Sequence, residues 1–281
     1  GALKDFNAAN AMKKAFAAEF GKETKAKLVK MLLTVLKNGE EAEELRMQAA
    51  ETLKIVLREK LEDEEEVGVD DVAEVMRVAG ILPADFAAVP QEVKARVQSR
   101  LDAGSRYKYP PKGDEYDDDE DERKLRAEDA EKAEEEATAM PPLDEELSKL
   151  GSHDTRGSPA LQAAAAKVLV NIITRSRHGE VVAESLGVLP RLLHRLADKT
   201  HPKEIRFTYL RILLRMSFER VSKLRLYASR VLNLLANLLE LTAADLDDPV
   251  GGMDLIECLK VIFSLSIPLG PLEGPAEPRE D

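Results

Sequence analysis

The sequence predicts an all-α fold built from helices stacked on one another. Three observations carry this expectation. Apolar residues recur at three- and four-residue spacing over most of the chain, the period of a helix with one buried face. No segment sustains the alternation of a half-buried strand. One short pattern returns in four separate helical segments. Aromatics are only 4% of the 281 residues and tryptophan is absent, so the core is expected from Leu, Val, Ile, Ala and Met.

The elements follow in order. Residues 24–38 place Leu28, Met31, Leu32, Val35 and Leu36 on one stripe, and Gly39 follows as a helix stop. Residues 41–60 form the next helix, with Leu45, Ala49, Leu53, Val56 and Leu57 apolar. Residues 70–101 read as shorter helices broken at Gly80, Pro83 and Pro90. Then the composition shifts. Residues 114–136 hold fourteen acids against four bases, most of the chain's net charge of −12. Such a stretch cannot bury enough apolar surface to offset its ordering entropy. Residues 105–122 are therefore expected to be disordered and 123–138 to form a solvated helix, with order returning near Pro159. Residues 160–176, 180–198, 203–219, 220–242 and 252–267 read as helices, with Pro190 near a helix start. The expected division is 1–104 helical, 105–158 an acidic and largely disordered insertion, and 159–281 helical again.

The recurring pattern is a base, three mostly apolar residues, and a variable residue four after the base. It stands at Lys54-Ile-Val-Leu-Arg58, Lys167-Val-Leu-Val-Asn171, Arg211-Ile-Leu-Leu-Arg215 and Lys260-Val-Ile-Phe-Ser264. The last three bases are 44 and 49 residues apart, near the period of armadillo or HEAT units. The first gap, 113 residues, exceeds one period by about the length of the acidic insertion. These spacings predict an armadillo- or HEAT-like right-handed solenoid. In a helix, residues i and i+4 share a face, and equivalent helices of a solenoid line one surface. The expected ladder is Lys54, Arg58, Lys167, Asn171, Arg211, Arg215, Lys260 and Ser264. Such a surface suits an extended or helical peptide that carries acids or ends in a carboxylate, which arginine holds bidentately. Nucleic acid is not an expected partner: few aromatics are available to stack bases, and the acidic segment repels phosphate.

Other classes find no support. The lone Cys258 excludes a disulfide framework and a cysteine zinc site, and suits a reducing compartment. His153, His178, His194 and His201 form no i, i+4 pair and no HExxH run, so no metal is expected. No G-x-S-x-G elbow, P-loop or G-x-G-x-x-G is present, so no catalytic residue, no cofactor and no enzyme activity are expected. No apolar run approaches the roughly 20 residues of a membrane span, and the first residues lack the basic and apolar regions of a secretory signal. The expectation is a cytoplasmic monomer.

GVLPRLLHRLAD and AAKVLVNII resemble the second and third helices of an armadillo unit. More specifically, ALKDFN, KAKLVKMLLTVLKNG, ETLKIVLRE, AAKVLVNIITRS, HPKEIRFTYLRILLRMS, LLANLLELT and the M-x-x-x-E-x-L-K-V-x-F run from Met253 to Phe263 resemble, in collinear order, the synembryn (resistance-to-inhibitors-of-cholinesterase) family. The resemblance implies a chaperone and guanine nucleotide exchange factor for heterotrimeric G-protein α subunits. It implies a basic concave surface that holds the C-terminal Gα helix and favours the nucleotide-free state, and recruitment to the plasma membrane or cell cortex through Gα. The family's contact positions fall on Lys54, Arg58 and Asn171. Lys54 stands where the family often has Arg, which differs in bidentate capacity, and Ser264 stands where it commonly has Asn. The acidic segment is longer than the family's loop, and the chain covers the N-terminal part of the family's helical core. The alternative is an armadillo-type adaptor for another acidic or extended peptide, without exchange activity.

Overall fold

A computed structural model describes residues 22–58, 67–83, 86, 88–102, 131–150, 157–175, 179–198, 202–243 and 249–267. These residues are helical with short connections, and there is no strand among them. The helices are α1 (Lys22–Lys37), α2 (Glu43–Val56), α3 (Val69–Val78), α4 (Gln91–Asp102), α5 (Leu143–Lys149), α6 (Pro159–Arg175), α7 (Gly179–Ser185), α8 (Val188–Ala197), α9 (Lys203–Met216), α10 (Arg220–Tyr227), α11 (Val231–Ala243) and α12 (Pro249–Ser266). Residues 131–139 are also helical.

Helices α2, α6, α9 and α12 pack side by side in that order, each against the next, with α1 beside α2 and α11 beside α12. These four are the helices that carry the recurring pattern. A second set packs against them: α3 on α1 and α6, α7 on α6 and α9, and α8 on α7 and α9. One continuous core runs from Val29 to Leu265. Helix α6 is the centre of the row. Its run Ala163–Ala166 presents only methyl groups, so neighbouring helices approach closely, and Leu161, Leu169, Ile172 and Ile173 are fully or almost fully buried. Each such large side chain contributes about 1.5–3 kcal/mol relative to exposure. A helix enclosed on most sides is apolar on most sides; beyond its first turn α6 opens to solvent only at Lys167, Asn171 and Thr174 among the residues up to 174.

The last carbonyls of a helix have no partner within it. Here they are closed by side chains from neighbouring helices. Arg46 Nε donates to the Leu36 carbonyl at 3.0 Å, joining α2 to the end of α1. Asn171 Nδ2 donates to the Lys54 carbonyl at 2.8 Å, joining α6 to the end of α2. Tyr209 Oη donates to the Ala79 carbonyl at 2.7 Å, joining α9 to the end of α3. Lys223 Nζ donates to the Ser264 and Ile267 carbonyls at 2.7 and 2.8 Å, joining α10 to the end of α12. Satisfying these groups and fixing helix order are therefore one operation.

The expected helices differ from the observed ones in phase and in subdivision. The inner stripe of α1 is Val29, Leu33 and Leu36, and Met31 is exposed. In α2, Leu45 is exposed and Ala50 takes a core place. Gly39 is not in the left-handed region; α1 stops at a turn in which the Asn38 side chain accepts from the Glu40 amide. The helix expected over 180–198 is two, α7 and α8, divided at Gly187 with φ +69°. The one expected over 220–242 is also two, α10 and α11. The expected disorder over 105–122 lies outside the described residues. Within the acidic segment, 131–139 is helical and α5 is an added helix whose Leu143 is buried in the core, so helical structure is present before Pro159.

Candidate functional site

On α6 and α9 the recurring pattern leaves one stripe toward solvent. On α6, Lys167 and Asn171 stand partly exposed while Val168, Leu169 and Val170 between them are buried. On α9, Arg211 is exposed, Phe207, Leu214 and Arg215 are partly exposed, and Ile212 and Leu213 are buried. Both helices pack on α7. Their open stripes are what remains once α7 and the flanking row helices are in place, so the two stripes share one side. The bond from Asn171 to the Lys54 carbonyl brings the end of α2 against the same stripe.

The expected residues behave differently from one another. Lys54 is paired with Glu51 one turn earlier, and Lys260 with Glu257 at 2.9 Å. Their charge is compensated within their own helices. A carboxylate three residues before the base was readable in both segments; before Lys167 and Arg211 the equivalent residues are Ala164 and Thr208. Among the described residues Lys167 and Arg215 meet no carboxylate. Arg211 lies over the Phe207 ring, 5.8 Å from its centroid. That cation–π contact leaves the guanidinium edge available to an acid. Asn171 has one amide hydrogen engaged, and its Oδ1 still accepts. Arg58 lies just past the α2 C-cap Leu57, its amide donating to the Ile55 carbonyl at 3.2 Å, so it shares the end of α2 with Lys54 rather than a helical face.

Ser264 does not belong to the ladder. It is buried, and its Oγ meets Ser217 Oγ at 2.8 Å across the α9–α12 contact. Phe263 beside it is 67% exposed. The pattern is thus rotated on α12: Cys258, Val261 and Leu265 face inward, while Ile256, Leu259, Phe263 and Ile267 face outward. The sequence reading missed this apolar run and Phe207. Their signal was spacing, since Phe207 precedes Arg211 by four and Phe263 follows Lys260 by three.

The solvent-facing surface of the row helices changes character from helix to helix. Toward α2 and α6 it is polar and cationic, through Arg58, Lys167 and Asn171. At α9 cations and apolar groups mix, and at α12 apolar groups dominate. It can hold a helix or extended segment with acids toward one end and bulky apolar residues toward the other. Among the described residues no three His, Cys, Asp or Glu side chains lie together as a metal site, and no helix is long and apolar enough to cross a membrane. No model of a known protein family matches this chain, and no curated protein matches it.

Proposed function

We propose that the chain is an armadillo-like solenoid that binds heterotrimeric G-protein α subunits as a chaperone and guanine nucleotide exchange factor. The C-terminal helix of Gα lies along the wall of α2, α6, α9 and α12. The observation that carries this reading is that the four helices with the recurring pattern are consecutive neighbours in one row. The collinear resemblance to the synembryn family supplies the partner. Lys167, Arg211 and Arg215, with Arg58 at the row's polar end, meet the terminal carboxylate and acids of that helix. Asn171 Oδ1 accepts from its backbone, and Phe207 and the α12 face take its apolar side. Lys54 and Lys260 add local field, since their own helices already compensate them.

Exchange requires no chemistry from this chain. A binder shifts its partner's equilibrium only by the difference in its affinity for the two states. Holding the terminal helix favours the open, empty Gα if that helix is better presented there; a tenfold preference corresponds to about 1.4 kcal/mol. The protein acts in the cytoplasm and reaches the membrane or cortex through Gα.

The test is GDP release from intact Gα. Added protein is expected to raise the release rate, and Arg211→Glu with Arg215→Glu to remove the increase. Release unaffected by the wild-type chain, with binding retained, would favour the second reading: an adaptor for another acidic amphipathic helix, toward which the outward apolar face of α12 also points.

A further inference from the structure

A second built contact lies on α8 and α10 and uses no residue of the wall. Helix α5 carries the sequence Leu143-Asp-Glu-Glu-Leu147. Leu143 is 2% exposed, and Leu147 packs partly buried against the same core. These two are four apart and share a face. Around them stand cations. Arg225 Nη2 pairs with Glu146 and donates to the Pro141 carbonyl at 3.3 Å. Arg230 Nε lies 3.7 Å from Asp144. Arg191 on α8 is held below the usual guanidinium range by burial, while Glu146 acts in the opposite direction.

The receiving surface is organised independently of α5. Arg225 is fixed by its other nitrogen, Nη1, on the fully buried Glu184 carboxylate, which also accepts from Ser222 Oγ at 3.0 Å. Only the outer half of the guanidinium fork faces α5. Withdrawal of α5 therefore leaves Arg225 paired with Glu184, avoiding the cost of a buried charge stripped of every partner. The occupant, by contrast, is a seven-residue helix whose main packing partner is α8. A short element with few buried anchors opens at lower free energy than the core it rests on.

We propose that the surface formed by α8 and α10 is a docking site for a partner's acidic amphipathic helix with Leu-x-x-x-Leu spacing, and that α5 fills it in cis until displaced. The mode is helix-in-groove recognition, with two leucine anchors for apolar contact and acids aligned to Arg191, Arg225 and Arg230 for register. A tethered occupant competes at an effective concentration of roughly millimolar, so the site stays masked until a partner arrives at high local concentration.

The experiment titrates a labelled peptide of residues 139–150 against the full chain. Binding at least tenfold tighter to Leu143→Ala than to wild type is expected, because that change loosens the cis occupant. Adding Arg225→Lys, which keeps the charge but removes the fork, is expected to cancel the gain. Equal affinity for wild type and Leu143→Ala, or a gain that survives Arg225→Lys, overturns the proposal. Should either variant fail to fold, hydrogen exchange on the wild type decides: α5 amides at least a hundredfold faster than α8 amides supports it, and equal protection overturns it. A wild-type dimer that added peptide dissociates would make a second copy's α5 the occupant, which also overturns it.

Discussion

Asn171 illustrates how one side chain serves fold and site together. Its amide closes the end of α2 by donating to the Lys54 carbonyl, and its oxygen stays on the open stripe of α6. Asn171→Ala leaves that carbonyl without its protein partner, at a cost of about 1–3 kcal/mol. The urea midpoint is expected to fall with the slope unchanged; an unchanged midpoint would show that water replaces the amide fully. Glu184 makes a second prediction at this scale. Burial raises its pKa above the ordinary carboxylate value of 4.5, and Arg225 and Ser222 oppose the rise without cancelling it. The folded state then holds this proton more tightly than the unfolded state does. Stability linked to Glu184 is present below the unfolded value and is lost as pH rises through the folded one. Across that window above 4.5, wild type is expected to lose stability relative to Glu184→Gln as pH rises, read from urea midpoints at each pH. A gap that moves the other way would mean that Arg225 outweighs burial.

At the scale of elements, two glycines separate two physical reasons for the same residue. A Cβ on Gly179 would stand 2.5 Å from the Ile172 carbonyl oxygen and 2.8 Å from Ile173 Cα, both backbone atoms of α6. Gly179→Ala therefore forces α7 away from α6, costing about 1–3 kcal/mol. Gly187 has open space around it, so Gly187→Ala bears only the left-handed φ of +69°, about 1 kcal/mol. Thermal melts of the two variants are expected to rank Gly179→Ala lower; the reverse order would place the strain at the α7–α8 turn. The elements also show what the sequence could disclose. Periodicity located α1, α2, α6 and α9, because period is a local property. It did not fix phase: whether Met31 or Val29 faces inward depends on where α2 and α3 approach. The rotation of α12, with Ser264 inside and Phe263 outside, has the same origin. Helix α5 went unread because seven residues with four charges look solvated. Its leucines pack against α8 and the core, and Arg225 pairs with Glu146, all partners distant in sequence.

Across the whole molecule, the order of the row was legible because the pattern recurs near the period of a helical repeat, and α2, α6, α9 and α12 do pack consecutively. The distribution of charge was less legible. A count of bases makes a uniform cationic ladder, but Glu51 and Glu257 compensate its two outer lysines. The uncompensated cations concentrate on α6 and α9. Surface pairs contribute little to stability, so Lys54→Ala and Lys260→Ala are expected to shift the urea midpoint hardly at all and to weaken partner binding less than threefold. Attraction through solvent-exposed cations is screened by salt, so added salt should weaken wild type more than a variant that lacks them. The most direct measurement is titration of a labelled peptide of the Gα C-terminal helix against wild type, Arg58→Glu, Arg211→Glu and Arg215→Glu at low salt. Saturable binding that each reversal weakens at least tenfold, with Arg211→Glu strongest, is the predicted result. Affinity unchanged by all three reversals, in variants that melt like wild type, would contradict it.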